Sequence, residues 1–184
     1  TITGTTDNIS APTAIINGTL DLSNFIGHNL GNVTGTGTIR IAPTALNQYL
    51  FPAGSFATFT SAGGGTIEYY SNSGTAILPL QGTYNKLIFT GGSTLHLFNI
   101  DILINGNMSI NAGIVSNPSN RIVSLKGNFV NTASLTAFQT GTTGSLQLTG
   151  STQSITGASS FGRLTVNGAG VKTLNSSLTI TNLI

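Results

Sequence analysis

The chain repeats part of its sequence at an interval of about 77 residues, and this repetition constrains the fold more than any other feature. The segment Tyr84–Phe89 recurs as Phe161–Val166. A strand-like stretch that begins with glycine precedes each copy, Gly65–Tyr69 in the first case and Gly144–Leu148 in the second. Repetition at a fixed interval is the sequence signature of tandem architectures, in which each unit packs against its neighbours. We therefore predict an elongated repeat protein.

The repeat defines the domain organisation that we predict for residues 1–184, a single elongated domain. A first copy extends over about 65–143, and a truncated second copy extends over 144–184. The segment 47–62 is denser in aromatic residues and interrupts the pattern, so we expect it to form a loop or hairpin on the side of the domain. The chain starts at Thr1 without a signal sequence and stops within a strand-like pattern, so we expect a segment of a longer protein.

The composition limits the classes of protein to which the chain can belong. Only 5% of the residues are charged, whereas hydrophobic residues make up 39%. Disorder goes with low hydrophobicity and high net charge, and this chain has neither. Its surface must be solvated by Thr, Ser, Asn and Gln, which suits an extracellular protein. The six Lys and Arg residues are scattered, which argues against binding to nucleic acid, and no apolar stretch is long enough to span a membrane.

Short apolar alternations bounded by Gly, Asn and Ser dominate the chain, and this pattern is typical of strands and turns. No apolar stripe with helical spacing persists for three turns, so no helix is predicted. Two strands open on the same motif, first at Gly106–Met108 and then at Gly127–Phe129. The interval is about 20 residues, the length of one coil of a β-solenoid, in which two or three short strands are joined by tight turns. We predict an all-β fold, a right-handed parallel β-solenoid; tandem antiparallel β-sandwiches are the alternative.

In a solenoid, each coil buries its inward side chains against the coils on either side. Glycine at the corners lets the backbones of successive coils approach closely. The glycines that we expect at such turns are Gly65, Gly106, Gly127 and Gly144. The side chains that we expect to point inward are Leu87, Phe89, Ile102, Ile104, Ile110, Phe129, Leu164, Val166, Leu178 and Ile180.

Several segments of the chain resemble a known family. The stretches that carry the resemblance are Gly37–Ile41, Phe51–Gly54, Gly64–Tyr70, Gly82–Leu87, Ile104–Ile110 and Gly127–Phe129. Together they resemble a module of very large surface proteins of Bacteroidetes, which repeats many times in gliding-motility and attachment adhesins exported by the type IX secretion system. The resemblance covers most of the chain from about Gly18 onward. It implies a structural role in cell adhesion or gliding and brings no catalytic residues.

The residues that could support catalysis or bind a metal are few and dispersed. The acids are Asp7, Asp21, Glu68 and Asp101. No two of them lie close in the sequence, whereas glycoside hydrolysis ordinarily needs a pair of carboxylates. His28 and His96 are expected to be unrelated surface residues. With no Cys in the chain and no second His near either of them, a metal site lacks ligands. We therefore predict no enzyme activity, no catalytic or metal site and no cofactor; Ca²⁺ at Asp7, Asp21 or turn carbonyls is the alternative.

Exposed aromatic rings would offer a different function, because sugars stack on such rings. Tyr49, Tyr69 and Tyr70 are the candidates for contact with a glycan. Alternation along a strand places Tyr69 and Tyr70 on opposite faces, so that one of them is expected to point outward. Tyr84 recurs as Phe161 and is therefore expected to pack inward.

The sequence thus predicts a structural repeat segment of a large secreted or surface-anchored adhesin or filament. We expect it outside the cell or on the bacterial cell surface, where it acts in adhesion or gliding. Its expected partners are neighbouring repeats of the same chain, other copies joined end to end, and surface polysaccharide. A glycan-binding module is the first alternative. A carbohydrate-active β-helix enzyme, which needs a groove with at least two carboxylates, is the second.

Overall fold

The computed structural model describes residues 2–3, 8–44, 51–70, 75–77, 81–92, 94–96, 100–116, 121–139 and 144–183. Within these ranges the chain forms short strands and one helical turn. The strands arise because apolar residues, many of them β-branched, alternate with Thr, Ser and Asn, which suits a pleated surface that is buried on one side. Gly and Asn separate many of the strands, because both residues tolerate the backbone angles of tight turns.

The described part of the first half of the chain contains the helical turn and ten strands. They are β1 (Ile2–Thr3), β2 (Thr13–Ile15), β3 (Thr19–Asp21), β4 (Asn29–Thr34), β5 (Thr38–Ile41), β6 (Ala53–Ser55), α1 (Ala57–Thr60), β7 (Thr66–Tyr69), β8 (Thr75–Ile77), β9 (Thr83–Tyr84) and β10 (Lys86–Phe89). The strands that follow are β11 (Thr94–His96), β12 (Ile102–Ile104), β13 (Met108–Ile110), β14 (Ile114–Ser116), β15 (Ile122–Leu125) and β16 (Phe129–Asn131). The last group is β17 (Phe138–Gln139), β18 (Ser145–Leu148), β19 (Gln153–Thr156), β20 (Ser159–Val166), β21 (Lys172–Leu174) and β22 (Leu178–Leu183).

The described strands form four sheets, and the strand pairings in all four are parallel. The long sheet has nine strands in the order β1-β3-β5-β7-β10-β13-β16-β19-β21. The other three have the orders β22-β20-β18-β15-β12-β9, β17-β14-β11-β8 and β2-β4-β6. Neighbours in each sheet are separated in the chain by strands of another sheet, so the backbone winds as a β-solenoid. This confirms the predicted parallel β-solenoid, and the alternative of antiparallel sandwiches is wrong.

Successive coils of the long sheet stack residue on residue. Leu87 of β10 pairs with Met108 of β13, and Met108 pairs with Phe129 of β16, one coil further along the chain each time. All three side chains are at most 1% exposed. The core is therefore a column in which each apolar side chain is shielded from water by its equivalents in the coils before and after it.

Most of the side chains predicted to point inward do so. The fully buried ones are Leu87, Phe89, Ile102, Ile104, Ile110, Phe129 and Leu164. Leu178 and Ile180 are half-buried against the core. Val166 pairs with the buried Leu148 and so continues an inward row, but its side chain is 43% exposed. Val166 lies at the end of β20, and the last pair between β20 and β22 is that of Leu164 with Leu183. No described residue of β22 therefore pairs with Val166 and covers its side chain.

The segment 47–62, described from residue 51 onward, differs from the expected side excursion. Its strand β6 pairs with β4 and thus continues the winding. The helical turn α1 follows, although no helix was predicted, and the ring of Phe59 in α1 is fully buried in the core. This coil is 28 residues long, measured from Arg40 to its partner Glu68. It is longer than the preceding coil, in which Asp21 and its partner Arg40 are 19 residues apart.

The position of α1 explains why one side of the solenoid is divided into two sheets. The helical turn contacts β4 on one side and β9 on the other. β4 belongs to the three-stranded sheet, and β9 is the first strand of the six-stranded sheet. Both strands lead directly into the long sheet through a short turn, so α1 occupies the place of a strand between them.

The two copies of the sequence repeat lie at different places in the solenoid. β7 and β10 of the first copy belong to the long sheet, whereas their counterparts in the second copy, β18 and β20, belong to the six-stranded sheet. The repeat is therefore a similarity of strand and turn patterns, while the winding follows the shorter interval of one coil. Tyr84 and Phe161 are both fully buried, as their recurrence predicted.

The four glycines expected at turns lie between strands or directly before one. At Gly127 the reason is close approach, because a Cβ atom there would overlap the backbone of Gly106 in the preceding coil. The Gly127 amide donates to the Gly106 carbonyl at 3.0 Å. At Gly65 the reason is different, because the ring of Phe59 fills the space that a Cβ would need.

We expect Gly65→Ala to lower the free energy of unfolding by about 1–3 kcal/mol, the usual cost of overpacking a core. The added methyl group would overlap the Phe59 ring. Equilibrium denaturation measures the change. Gly82→Ala is the matched control, since a Cβ there meets nothing within 4 Å, and it should change stability by less than about 0.5 kcal/mol. Equal effects of the two alanines would contradict this account, and Phe59→Leu should relieve part of the loss.

Candidate functional site

The densest group of charged side chains in the described part of the chain lies on the outer face of the long sheet. Asp21 ends β3, Arg40 lies in β5, Glu68 lies in β7 and Tyr70 directly follows β7. We call these four residues the arginine clamp. Strand pairing places Arg40 opposite both Asp21 and Glu68, so the clamp extends over three successive coils. The neighbours of Arg40 within β5 are core residues, and its own side chain therefore points outward.

Arg40 binds both carboxylates of the clamp. Its Nε donates to Glu68 Oε2 at 3.0 Å, its Nη2 donates to Glu68 Oε1 at 3.3 Å, and its Nη1 donates to Asp21 Oδ2 at 3.1 Å. The contact with Glu68 is thus bidentate, the stronger form of such a pair. The Tyr70 hydroxyl donates to Asp21 Oδ1 at 2.6 Å, and the guanidinium carbon lies 4.1 Å from the centre of the Tyr70 ring.

Each of the four carboxylate oxygens in the clamp has a hydrogen-bond donor. Asp21 Oδ1 also accepts from the Ser23 amide at 2.8 Å, and Glu68 Oε1 also accepts from the hydroxyl of Thr90. The carboxylate side chains are only 11% and 17% exposed. The clamp therefore fastens the coils of β3, β5 and β7 to one another, and through Thr90 it reaches the coil of β10.

Sequence reasoning did not bring these residues together. The sequence predicts four dispersed acids, whereas the structure brings Asp21 and Glu68 to the same guanidinium. Arg40 was not singled out, although its place between two inward residues of a predicted strand marks it as outward. The regular coil interval does not predict the contact, because the coil between Arg40 and Glu68 is lengthened to 28 residues.

The three tyrosines predicted as glycan contacts have different surroundings. Tyr69 is fully buried, so it cannot stack on a sugar, and its assignment as a glycan contact is corrected. Its hydroxyl lies 3.3 Å from that of Tyr84, whose pKa is raised by burial to about 12. Tyr70 points outward, but Asp21 and Arg40 engage its hydroxyl and its ring. Tyr49 lies outside the described residues.

The carboxylates that the structure describes have partners within the protein. Asp21 is bound to Arg40, and Asp7 lies outside the described residues. Asp101 Oδ1 accepts from the backbone amide of Ile122, one coil further on, at 2.8 Å. In the described ranges, no group of three or more His, Asp and Glu side chains is placed to hold a metal ion.

A lysine occupies one turn where carbonyl oxygens converge. Lys172 Nζ donates to the carbonyl oxygens of Gly150, Ser151 and Ala169 at 2.7, 3.0 and 3.1 Å. An ammonium group has three hydrogen-bond donors, and it satisfies such a cluster of oxygens in the way that a bound metal cation would. The protein's own side chain thus satisfies the carbonyl oxygens that converge in this turn.

His28 is buried, which corrects its prediction as a surface residue; it is 2% exposed. Its Nδ1 accepts from the Ile9 amide at 3.0 Å, so the neutral ring carries its proton on Nε2. Nε2 is buried and has no hydrogen-bond partner among the described residues. Burial lowers the pKa of His28, because a charged ring there would lose its hydration. His96 lies in β11, and its side chain is outside the described set.

Two adjoining surface depressions lie at the turns that follow β13 and β16 of the long sheet. One has a volume of about 360 Å³ and is lined by residues 111–114 and 132–134. The other, of about 220 Å³, is lined by residues 131–135 and Ala158. Neither lining contains a charged or aromatic side chain. Such surfaces can hydrogen-bond to water or hydroxyl groups, but they provide no nucleophile paired with a base.

The comparisons with known proteins place the chain in no group: no family model matches it, and no curated protein and no solved structure matches it either. Within the ranges that the structure describes, there is also no helix with the length and apolar character needed to cross a membrane.

We expect Arg40→Met to lower the free energy of unfolding by about 1–3 kcal/mol, because it leaves two largely shielded carboxylates without their counter-charge. Lys86→Met is the matched control, since Lys86 is an exposed cation on the same sheet, and it should change stability by less than about 0.5 kcal/mol. Chemical denaturation of both variants measures the difference. Equal losses would show that the clamp does not fasten the coils.

The first coils should become less stable as the pH falls below 6.5, the ordinary pKa of histidine. The pKa of His28 is lower in the folded chain, so the unfolded chain takes up a proton first as the pH falls. The contribution of the neutral ring to folding stability is complete above pH 6.5 and is lost as the pH falls toward the pKa of His28 in the folded chain. Hydrogen exchange of the Ile9 and Asn29 amides measures the loss. His28→Asn keeps an acceptor without titrating and should remove the pH dependence, whereas His96→Asn should retain it.

Proposed function

We propose that the chain is a structural segment of a large secreted or surface-anchored bacterial adhesin or filament, which it extends and stiffens during adhesion or gliding. One observation carries the proposal: every carboxylate that the structure describes binds a group on a neighbouring coil. Asp21 and Glu68 meet at Arg40, and Asp101 binds the backbone at Ile122. The groups that could do chemistry therefore hold the rod together instead of facing a ligand.

Polar contacts along the rod axis support a mechanical role. Lys126 Nζ donates to Asn105 Oδ1 at 3.1 Å, and the Asn128 amide donates to Asn107 Oδ1 at 2.9 Å, in each case across 21 residues of sequence. These bonds join equivalent positions of adjacent coils. In stacked-repeat proteins, stability and reach grow with the number of repeats, because each unit is held by its neighbours.

The surface chemistry supports a location outside the cell. With 5% charged residues, the rod has few ionic interactions on its surface for salt to screen. The resemblance of several segments to modules of Bacteroidetes adhesins of the gliding-motility and attachment type supports the same location and role. Neighbouring repeats and surface polysaccharide are the partners that we propose.

Glycan binding is the second candidate, because Tyr70 is an outward-facing aromatic residue beside Arg40, which is 32% exposed. A glycan array tests it, with Tyr70→Ala as the variant that should lose any signal. We do not propose catalysis, although Asp21 and Glu68 are close, because both are bound by the same guanidinium.

An in-frame replacement of residues 1–184 in the parent gene tests the structural proposal. Antibodies against the segment should label intact cells. A Gly/Ser linker of equal length should leave the parent protein at the surface but reduce attachment or gliding several-fold, because a flexible chain lacks the stiffness of stacked coils. Labelling that appears only after lysis, or full attachment with the linker, would contradict the proposal.

A further inference from the structure

The turn after β16 is longer than the corresponding turns of the coils on either side. It comprises residues 132–137, whereas residues 111–113 separate β13 from β14 and residues 157–158 separate β19 from β20. The three turns follow strands that pair with one another in the long sheet, so they lie one above the other along the axis. Residues 134–136 are exposed, and Leu135 is 49% exposed. The longer turn therefore forms a ridge between two shorter turns.

The two surface depressions lie on opposite sides of this ridge. The larger, of about 360 Å³, separates the ridge from residues 111–114 of the coil before. The smaller, of about 220 Å³, separates the ridge from Ala158 of the coil after. Residues 132–134 line both, so we call the two depressions together the corner groove. β10 precedes and β21 follows these coils in the long sheet, so the groove does not arise from either end of the chain.

Hydrogen bonds from a buried side chain hold the ridge in place. Asn131 is 4% exposed, and its Nδ2 donates to the carbonyl oxygens of Ser134 and Ala158 at 2.7 and 2.9 Å. Its Oδ1 accepts from the Ala133 amide at 3.0 Å. One amide group thus fastens the ridge to its own coil and to the next. The shape of the groove is therefore set before a ligand arrives, which lowers the cost of binding.

The lining of the groove favours an uncharged ligand with many hydroxyl groups. Asn111, Thr132 and Ser134 carry side chains that both donate and accept hydrogen bonds. Leu135 and Ala158 add apolar surface, which suits the C–H groups of a sugar ring. Because the lining has no charged side chain, a phosphate, a sulfate or a carboxylate would lose hydration without gaining a counter-charge.

The spacing of the coils favours a chain of sugars over a single one. Successive coils are about 4.8 Å apart, so the ridge and its two neighbours present hydrogen-bonding groups at that interval along the axis. This interval is close to the length of one sugar unit in an extended polysaccharide. A chain that lies along the axis can therefore place successive sugars against successive turns.

We propose that the corner groove binds a neutral polysaccharide chain. The inference rests on the proposed function, which includes surface polysaccharide as a partner, and it places the contact at the ridge and not at Tyr70. Asn111 and Thr132 bind hydroxyl groups in the larger depression, and Leu135 contacts the sugar ring from the ridge. The small side chain of Ala158 leaves the second depression open to the next sugar.

An array of neutral and acidic oligosaccharides, followed by calorimetric titration with the neutral oligosaccharide that binds best, tests the proposal. Longer neutral oligomers should bind more tightly than disaccharides, because they reach both depressions. Ala158→Trp fills the smaller depression and should raise the dissociation constant at least about tenfold. Thr132→Val keeps the shape and removes one hydroxyl group, so it should raise the constant about fivefold.

Two exposed positions outside the groove give matched controls. Thr136→Val lies on the same turn but in neither lining, and Ala169→Trp lies on a different turn. Both should change the dissociation constant less than about twofold, within the usual range for surface substitutions. Circular dichroism melting verifies that each variant is folded; if Ala158→Trp is not, Ala158→Met replaces it.

Amide chemical shifts locate the bound oligosaccharide on the chain. Residues 112–114 and 132–135 should shift on titration, whereas Arg40 and Tyr70 should not. The proposal would be overturned by the absence of any neutral ligand at millimolar concentrations, by a preference for acidic oligosaccharides, or by equal losses in Ala158→Trp and Ala169→Trp. Binding that Tyr70→Ala removes and Ala158→Trp retains would also overturn it.

The failure of this inference is distinguishable from the failure of the proposed function. A chain that binds no oligosaccharide, but whose replacement by a linker reduces attachment, would refute the groove and leave the structural role standing. A chain that binds neutral oligosaccharide in the groove, but whose replacement by a linker leaves attachment unchanged, would do the reverse.

Discussion

Parallel hydrogen bonding between each strand and the strand one coil later is the interaction on which the whole structure depends. It places equivalent residues of successive coils above one another at about 4.8 Å, so that like side chains stack. The rings of Tyr69 and Phe89, which pair across adjacent coils, stack with their centres 6.0 Å apart. Phe129 and Phe161 lie in different sheets, and their rings meet edge to face at 5.4 Å. The core needs no second layer of sheet to close it, because the inner side chains of one coil are covered by those of the next.

The same register governs the polar side chains. Asn128 shows this most directly: its amide donates to Asn107 in the coil before, and its Oδ1 accepts from the amide of Ser154 in the coil after. Side chains that could bind a ligand are thus directed along the axis toward neighbouring coils. A molecule built in this way presents few charged groups on the sides that the structure describes.

The lengthened coil between Arg40 and Glu68 shows how the column tolerates irregularity. It contains β6 and α1, and the Phe59 ring fills the interior where a strand is missing. On the outside, Arg40 at its start binds Glu68 at its end. This departure from regular winding is therefore held by an apolar contact on the inside and by an ion pair on the outside.

The sequence alone determined the strand and turn pattern, the inward positions and the usual coil length, because alternation and turn glycines are local signals. Strand β4 escaped this reasoning, since Gly31 at its centre reads as a turn; the glycine is there because the backbone of Pro12 lies against it. Only the tertiary structure decided that Arg40 joins two acids, that His28 is buried and that α1 replaces a strand. Those contacts depend on the number of residues in each coil, which is the total length of several strands and turns. Local propensities predict the individual strands and turns but do not determine that total length.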